Sequence, residues 1–293
     1  MEYGSSLLVP SVQELVKEPI ITVPSRYIRP DQYDKTSNKI ISVSEIPVIN
    51  FQNLLCHGEL SESELASFHS ACRDWGFFQL INHGISSSLV EKIKTDIQDF
   101  FNLPMEEKKK LWQHSGEVEG FGQAFVKSEE QKLDWNDIFF LTTLPVSLRK
   151  PHLFPKLPTP FRDNLETCAL ELKNLAKAII SQMEKALEIK GKEMTRMFED
   201  GMQAMRMNYY PPCPQPEQVM GLTPHSDSVG LTILLQISEV EGLQIKKDGM
   251  WVPVKPLPNA FIVNIGDIVE VINYHLFFFF FFWELKVGTP SYF

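Results

Sequence analysis

Apolar and polar positions follow two different rhythms along this chain, and the change falls near residue 202. Before it the rhythm is helical. Leu65, Phe68, Cys72 and Trp75 recur at three- and four-residue spacing behind Ser61-x-x-Glu64, which reads as a capping box, and Gly76 stops the helix. Ser88-x-x-Glu91 predicts the cap of a second helix running to about Phe101. Leu165, Cys168, Leu172, Leu175, Ile179 and Met183 mark one stripe of a long amphipathic helix over 162–189, ended by Gly191. Two short strands interrupt this region. One covers 46–51, with Pro47 at its start, where a missing donor is tolerated. The other covers 77–81 and ends at Asn82-His83-Gly84. After residue 202, short apolar runs at 205–210, 231–236, 242–245, 251–253, 260–265 and 268–272 alternate with Pro and Gly turns. Short strands at near-regular spacing predict a barrel or sandwich.

These rhythms divide the chain into five stretches. Residues 1–45 are polar and punctuated by Pro10, Pro19, Pro24 and Pro30, and predict an arm with one short helix near 11–17. A helical region with short strands follows over 46–160, a packing helix and its connection over 161–200, and a β region over 201–272. The tail, 273–293, contains six consecutive phenylalanines at 277–282 and shows neither periodicity.

Composition narrows the class. The 293 residues are 43% hydrophobic and 22% charged, a globular mixture. The net charge of −9 argues against nucleic-acid or anionic-membrane partners, which need a basic face. The run Lys108-Lys109-Lys110 follows Glu106-Glu107 and reads as a solvated helix face. Cys56, Cys72, Cys168 and Cys213 lie far apart, which argues against a disulfide framework or structural zinc and fits a reducing compartment. No secretory pattern opens the chain, and the longest apolar run, 276–283, falls short of the roughly 20 residues that span a bilayer. A cytoplasmic monomer acting on a small molecule is the expected setting.

The candidate chemistry is concentrated at Pro224-His225-Ser226-Asp227. Alternate side chains of extended backbone share a face, so His225 and Asp227 project to one side. A neutral imidazole and a carboxylate converging on one point supply two of the three ligands of a facial Fe(II) site, which leaves three positions open. Spacing alone is weak evidence, because a chain of this composition holds about one chance His-x-acid match. A second match, His57-Gly58-Glu59, reads as a solvated loop. For His225 and Asp227 the competing reading is a hydrogen-bonded pair at a turn.

The surroundings add to this. Arg206-Met207-Asn208-Tyr209-Tyr210-Pro211-Pro212-Cys213-Pro214, Gly221-Leu222-Thr223-Pro224-His225-Ser226-Asp227, the run 231–236 and the run 259–267 occur in order. Upstream stand the strings 46–51, 72–78, Asn82-His83-Gly84 and Gln131-Lys132-Leu133-Asp134-Trp135. Together, over residues 8–272, they resemble the plant Fe(II)/2-oxoglutarate-dependent dioxygenases, in the branch of senescence-related oxygenases and codeine O-demethylase-like enzymes. The resemblance implies an α+β chain with a mainly β core, a double-stranded β-helix (jelly roll) with helices around it. It makes His225 and Asp227 iron ligands. It places Asn208 and Tyr210 beside 2-oxoglutarate, with the Tyr210 hydroxyl offered to a carboxylate. Phe121 and Phe125 would border the substrate, with core packing as their other reading. His83 reads as a turn residue, and Tyr209, Trp75 and Trp135 as packing. The implied cofactors are Fe(II) and 2-oxoglutarate, with O2 as co-substrate and ascorbate as an auxiliary. The implied reaction couples conversion of 2-oxoglutarate to succinate and CO2 with hydroxylation or O-demethylation of a small, mostly apolar plant metabolite.

The likeness stops after Ile272. The third iron-ligating His of the family would fall at Phe282, and the Arg that grips the distal carboxylate of 2-oxoglutarate has no counterpart. The last strands are expected to be missing, leaving open strand edges beside the phenylalanine run. His275, Glu284 and Lys286 are the candidate substitutes, each without support from spacing. Three readings therefore stand: an oxygenase with a surrogate ligand, an inactive homologue that binds, and a truncated product without function.

Overall fold

A computed structural model describes residues 6–29, 46–189, 191–269 and the backbone of 285–287. Three sheets organise the described residues. The first holds β1 (Val48–Asn50), β2 (Phe77–Ile81), β7 (Leu231–Leu234) and β10 (Phe261–Ile265), in the order β1-β2-β10-β7. β1 runs parallel to β2, and β10 is antiparallel to both of its neighbours. The second sheet holds β6 (Leu222–His225), β8 (Leu243–Lys247), β9 (Met250–Pro253) and β11 (Leu285–Val287), in the order β6-β11-β8-β9. The third is antiparallel: β3 (Gly120–Gly122), β4 (Asp137–Leu144) and β5 (Gln203–Tyr209).

Side-chain alternation sets the layers. Phe78 and Leu80 of β2 join Phe261 and Val263 of β10 on one face. Phe68 and Ala71 of α3 (Glu59–Asp74) and Leu175, Ile179 and Met183 of α6 (Thr159–Ala186) close that cluster. Phe77 and Ile262 face the other way, onto Leu243, Ile245 and Val252 of the second sheet. Two sheets thus enclose one apolar layer while helices cover the outer face, the layering of the expected jelly roll. Beside it, Phe121, Phe139, Leu141 and Met207 of the third sheet pack on Phe100 and Phe101 of α4 (Ser87–Asn102) and on Leu165 and Cys168 of α6.

Several local expectations are corrected. α3 starts two residues before Ser61, whose hydroxyl donates to the Leu54 carbonyl at 3.4 Å. Glu64 does not close a capping box. It accepts the Asn50 N–H at 2.8 Å and the Asn53 amide at 3.3 Å, and so ties α3 to β1 and to α2 (Phe51–Leu55). α4 follows Ser86 rather than Ser88, and Glu91 pairs with Lys94 at 2.7 Å. The long helix begins at Thr159, ahead of Arg162, because Pro160 suits a first helical turn. Residues 267–269 are helical where a strand over 268–272 was expected. β4 escaped notice because all eight of its residues are buried, so it shows no alternation. The tail, expected to lack strands, supplies β11 between β6 and β8. Its phenylalanine run lies outside the described residues.

Lys108, at the end of the short helix α5 (Met105–Lys109), is also corrected: it is 1% exposed. Its ammonium donates to the Phe101 carbonyl at 2.9 Å and to the Gln13 amide oxygen, and lies 5.3 Å from the Phe121 ring centre. Lys109 and Lys110 stay exposed, paired with Glu106 and Glu107. The four cysteines are free thiols. No described helix is long and apolar enough to cross a membrane.

Asp137 anchors the N-terminal arm. Its carboxylate accepts the Ser11 hydroxyl at 2.7 Å and the Val12 and Gln13 N–H groups at 2.9 and 2.8 Å, at the start of α1 (Val12–Leu15). Val12 and Tyr27 then pack on Trp135 and Leu133. Replacing Asp137 by Ala strands two buried donors and one part-buried donor and leaves the Lys108 charge without its neighbour. Chemical denaturation of Asp137→Ala is expected to show a loss of about 3 kcal/mol, with early proteolytic cleavage within 6–29. Unchanged stability would show that the arm is held by its apolar contacts alone.

Candidate metal and co-substrate site

β6 ends at His225, and a turn leads through Asp227 into β7. Nε2 of His225 and Oδ1 of Asp227 stand 3.4 Å apart, close enough for one metal ion to touch both. The other Asp227 oxygen, Oδ2, accepts the Thr232 hydroxyl at 2.6 Å and the Asn264 amide at 2.9 Å. Thr232 of β7 and Asn264 of β10 are cross-strand partners, so two strands of the first sheet hold one carboxylate from the turn after β6. Nδ1 of His225 faces the Thr223 carbonyl at 2.9 Å. With a proton there, Nε2 keeps its lone pair for a metal. Thr223 is held in turn by Asp134, which accepts its N–H at 3.1 Å and its hydroxyl at 2.5 Å and pairs with Arg29 at 2.9 Å.

Burial opposes ionisation of Asp227, but the bonds from His225, Thr232 and Asn264 outweigh it and hold its carboxyl down at about 2. Burial lowers His225 as well, yet the Asp227 and Thr223 acceptors leave it above its usual value. Once a metal displaces the Nε2 proton, an ionised carboxylate stands beside a neutral imidazole, the donor set a hard-to-borderline divalent ion takes. The fit to Fe(II) is therefore good at two positions. Among the described residues no third imidazole or carboxylate joins them. His275, Phe282 and Glu284 lie outside the described residues, as does the side chain of Lys286. The β11 backbone places Leu285 opposite His225.

The turn depends on one glycine. A Cβ on Gly266 would sit 1.9 Å from the Val229 carbonyl oxygen, so no other residue fits this approach. The contact lets Gly266 N–H reach the Gly230 carbonyl at 3.0 Å and Asp267 N–H reach the Asp227 carbonyl at 2.8 Å.

In β5, Met205, Met207 and Tyr209 face the apolar core of the third sheet, where Tyr209 stacks on Phe101. Arg206 and Asn208 take the opposite face, joined by a bond of 2.9 Å from Arg206 Nε to Asn208 Oδ1. Burial pushes the Tyr210 phenol well above its usual value, with Asp134 adding to the rise and Arg206 opposing it. Tyr210 is therefore a neutral hydroxyl at ordinary pH. The Arg206 charge opposes the rise at Tyr210 and lowers His225.

Phe121 has no exposed surface and packs against Phe100, Phe101 and Trp112, which is the core-packing alternative. Phe125 is 40% exposed at a φ of 66°. His83 accepts the Ile85 N–H at 3.2 Å and packs on Phe261. Thr232, Asn264, Asp134 and Arg206 escaped sequence reasoning as site residues. All four lie inside the motif strings, but no spacing rule assigns them a role.

The N-terminal region, residues 46–157, matches the model of the non-haem dioxygenase in morphine synthesis N-terminal family, and residues 201–278 match that of the 2OG-Fe(II) oxygenase superfamily. The chain belongs to the 2OG-Fe(II) oxygenase superfamily, whose members use Fe(II) and 2-oxoglutarate. It is 64% identical over 274 residues to Protein SRG1 of Arabidopsis thaliana, covering 92% of this chain and 76% of that one. It is 52% identical over 280 residues to codeine O-demethylase of Papaver somniferum, covering 93% and 77%. Among solved structures, JOX2 in complex with 2OG, Fe and JA matches with a TM-score of 0.82 and 33% identity, over 97% of this chain and 80% of that one.

The clamp on Asp227 Oδ2 is testable. Thr232→Val and Asn264→Leu keep the shape and remove one donor each. Anaerobic Fe(II) titration is expected to show at least a ~10-fold loss of affinity for either variant. Unaltered affinity in both would mean that the clamp does not orient the ligand.

Proposed function

We propose that this chain oxidises a small, mostly apolar plant metabolite, by hydroxylation or by O-demethylation of a methoxy group, with 2-oxoglutarate converted to succinate and CO2. The observation that carries the reading is the His225–Asp227 pair, ionised on one side, supplied with a lone pair on the other, and fixed by Thr232 and Asn264. The name of codeine O-demethylase, a half-identical relative, supports demethylation as the outcome on a methoxylated substrate.

His225 and Asp227 would hold Fe(II), which when bound with 2-oxoglutarate and O2 supplies the oxidising power. The chain's own residues do the positioning. Asp227 stays ionised because Thr232 and Asn264 donate to it. Tyr210, kept protonated by burial, offers an O–H to a carboxylate. Asn208, its amide oxygen engaged by Arg206, supplies its NH2 as a second donor. Arg206 supplies the positive charge on this face, and we assign it to the carboxylate of 2-oxoglutarate. A hydroxylated methoxy carbon is a hemiacetal and collapses to formaldehyde and the free hydroxyl.

The test is aerobic turnover of the full chain with Fe(II), ascorbate, 2-oxoglutarate and a panel of methoxylated alkaloids and flavonoids. Succinate formed in step with a product 14 mass units lighter, or 16 heavier, is expected for at least one compound. No succinate above the His225→Ala background would overturn the proposal. Arg206→Leu is expected to raise KM for 2-oxoglutarate about tenfold or more, as loss of a charge-assisted contact requires. An unchanged KM would remove Arg206 from that role.

A further inference from the structure

A second cluster of metal-ligating side chains lies outside the site described above. His114 stands between α5 and β3 and Glu117 three residues on, while His152 belongs to the loop after β4. A tight turn brings the first two together. The Glu117 N–H donates to the His114 carbonyl at 3.0 Å, and Gly116 takes the φ of +83° that the turn requires. His152 is placed by its neighbours, since Leu153 and Phe154 are anchored in the core beside Phe139 and Phe161. Its imidazole stacks on that of His114, with ring centres 3.8 Å apart and planes 10° off parallel.

The three side chains converge. Glu117 Oε2 lies 3.8 Å from His152 Nε2 and 4.0 Å from His114 Nδ1, and one ligand atom from each residue falls within 4.8 Å of the others. Glu117 Oε2 and His152 Nε2 are both buried, and neither has a hydrogen-bond partner. Glu117 Oε1, by contrast, is engaged by Lys150 at 3.0 Å. Both atoms face the same gap between the three side chains. The gap is too wide for a direct hydrogen bond. A bound ion lies in the plane of each imidazole at about 2.0–2.2 Å, so the exposed His114 ring has to turn out of its stack on His152 to reach an ion held by Glu117 and His152.

We propose that His114, Glu117 and His152 form a divalent transition-metal site of Zn2+ type that ties the loop before β3 to the loop after β4. Two imidazoles and one carboxylate are a zinc donor set, and a solvent molecule on the exposed side of His114 completes four-coordination.

The test is a ZnCl2 titration of the full chain carrying His225→Ala and Asp227→Ala, in competition with a chromogenic chelator. One Zn2+ per chain, bound with a micromolar or tighter dissociation constant, is expected. Adding His114→Ala, an exposed position that leaves the fold intact by circular dichroism, is expected to weaken binding at least ~10-fold, and Glu117→Gln likewise. No zinc binding, or binding indifferent to both substitutions, would overturn the site.

Discussion

The carboxylate of Asp227 is the point on which the two facing sheets depend. It leaves the end of β6 in the second sheet and is held by Thr232 and Asn264, paired neighbours on β7 and β10 of the first. One half-buried anion with two donors from neighbouring strands ties the turn after β6 to the first sheet. The same bonds leave Oδ1 turned toward His225. A carboxylate proposed to serve both packing and metal binding needs its donors in place before a metal arrives, and here they are contributed by strands rather than loops. Gly266 permits the close backbone approach that completes this turn.

A chain of polar contacts extends this constraint outward. Thr223 orients His225, Asp134 orients Thr223, and Arg29 of the N-terminal arm pairs with Asp134. Three residues beyond Asp134, Asp137 fixes the start of α1. The arm is thereby coupled to the site through one short stretch, 134–137. Each group in this chain is buried or half-buried and satisfied by the next, so removing one leaves a partner without its bond.

Much of the architecture was legible in the sequence because periodicity reports burial on one face. β2, the long helix α6 and its stripe of Leu165, Cys168, Leu175, Ile179 and Met183 follow from it directly. β4 did not, since burial on both faces erases alternation. The capping boxes misled because Ser61 and Glu64 answer to β1 and α2, contacts between elements that a local motif cannot contain. Lys108 misled for the same reason: a lysine run looks solvated until the arm lays Gln13 over one member. At the candidate site, the convergence of His225 and Asp227 was readable from spacing and context. Thr232, Asn264 and Asp134 were not, because their roles arise from strands distant in sequence meeting at one carboxylate or one threonine.

The central claim is that the clamped His225–Asp227 pair holds Fe(II) together with chelated 2-oxoglutarate. Its most direct test is an anaerobic titration of the purified full chain with Fe(II) and then 2-oxoglutarate, following visible absorption. The account predicts a charge-transfer band that appears only with both components and is abolished by His225→Ala. A folded chain that shows no band, or a band that survives His225→Ala, would contradict it.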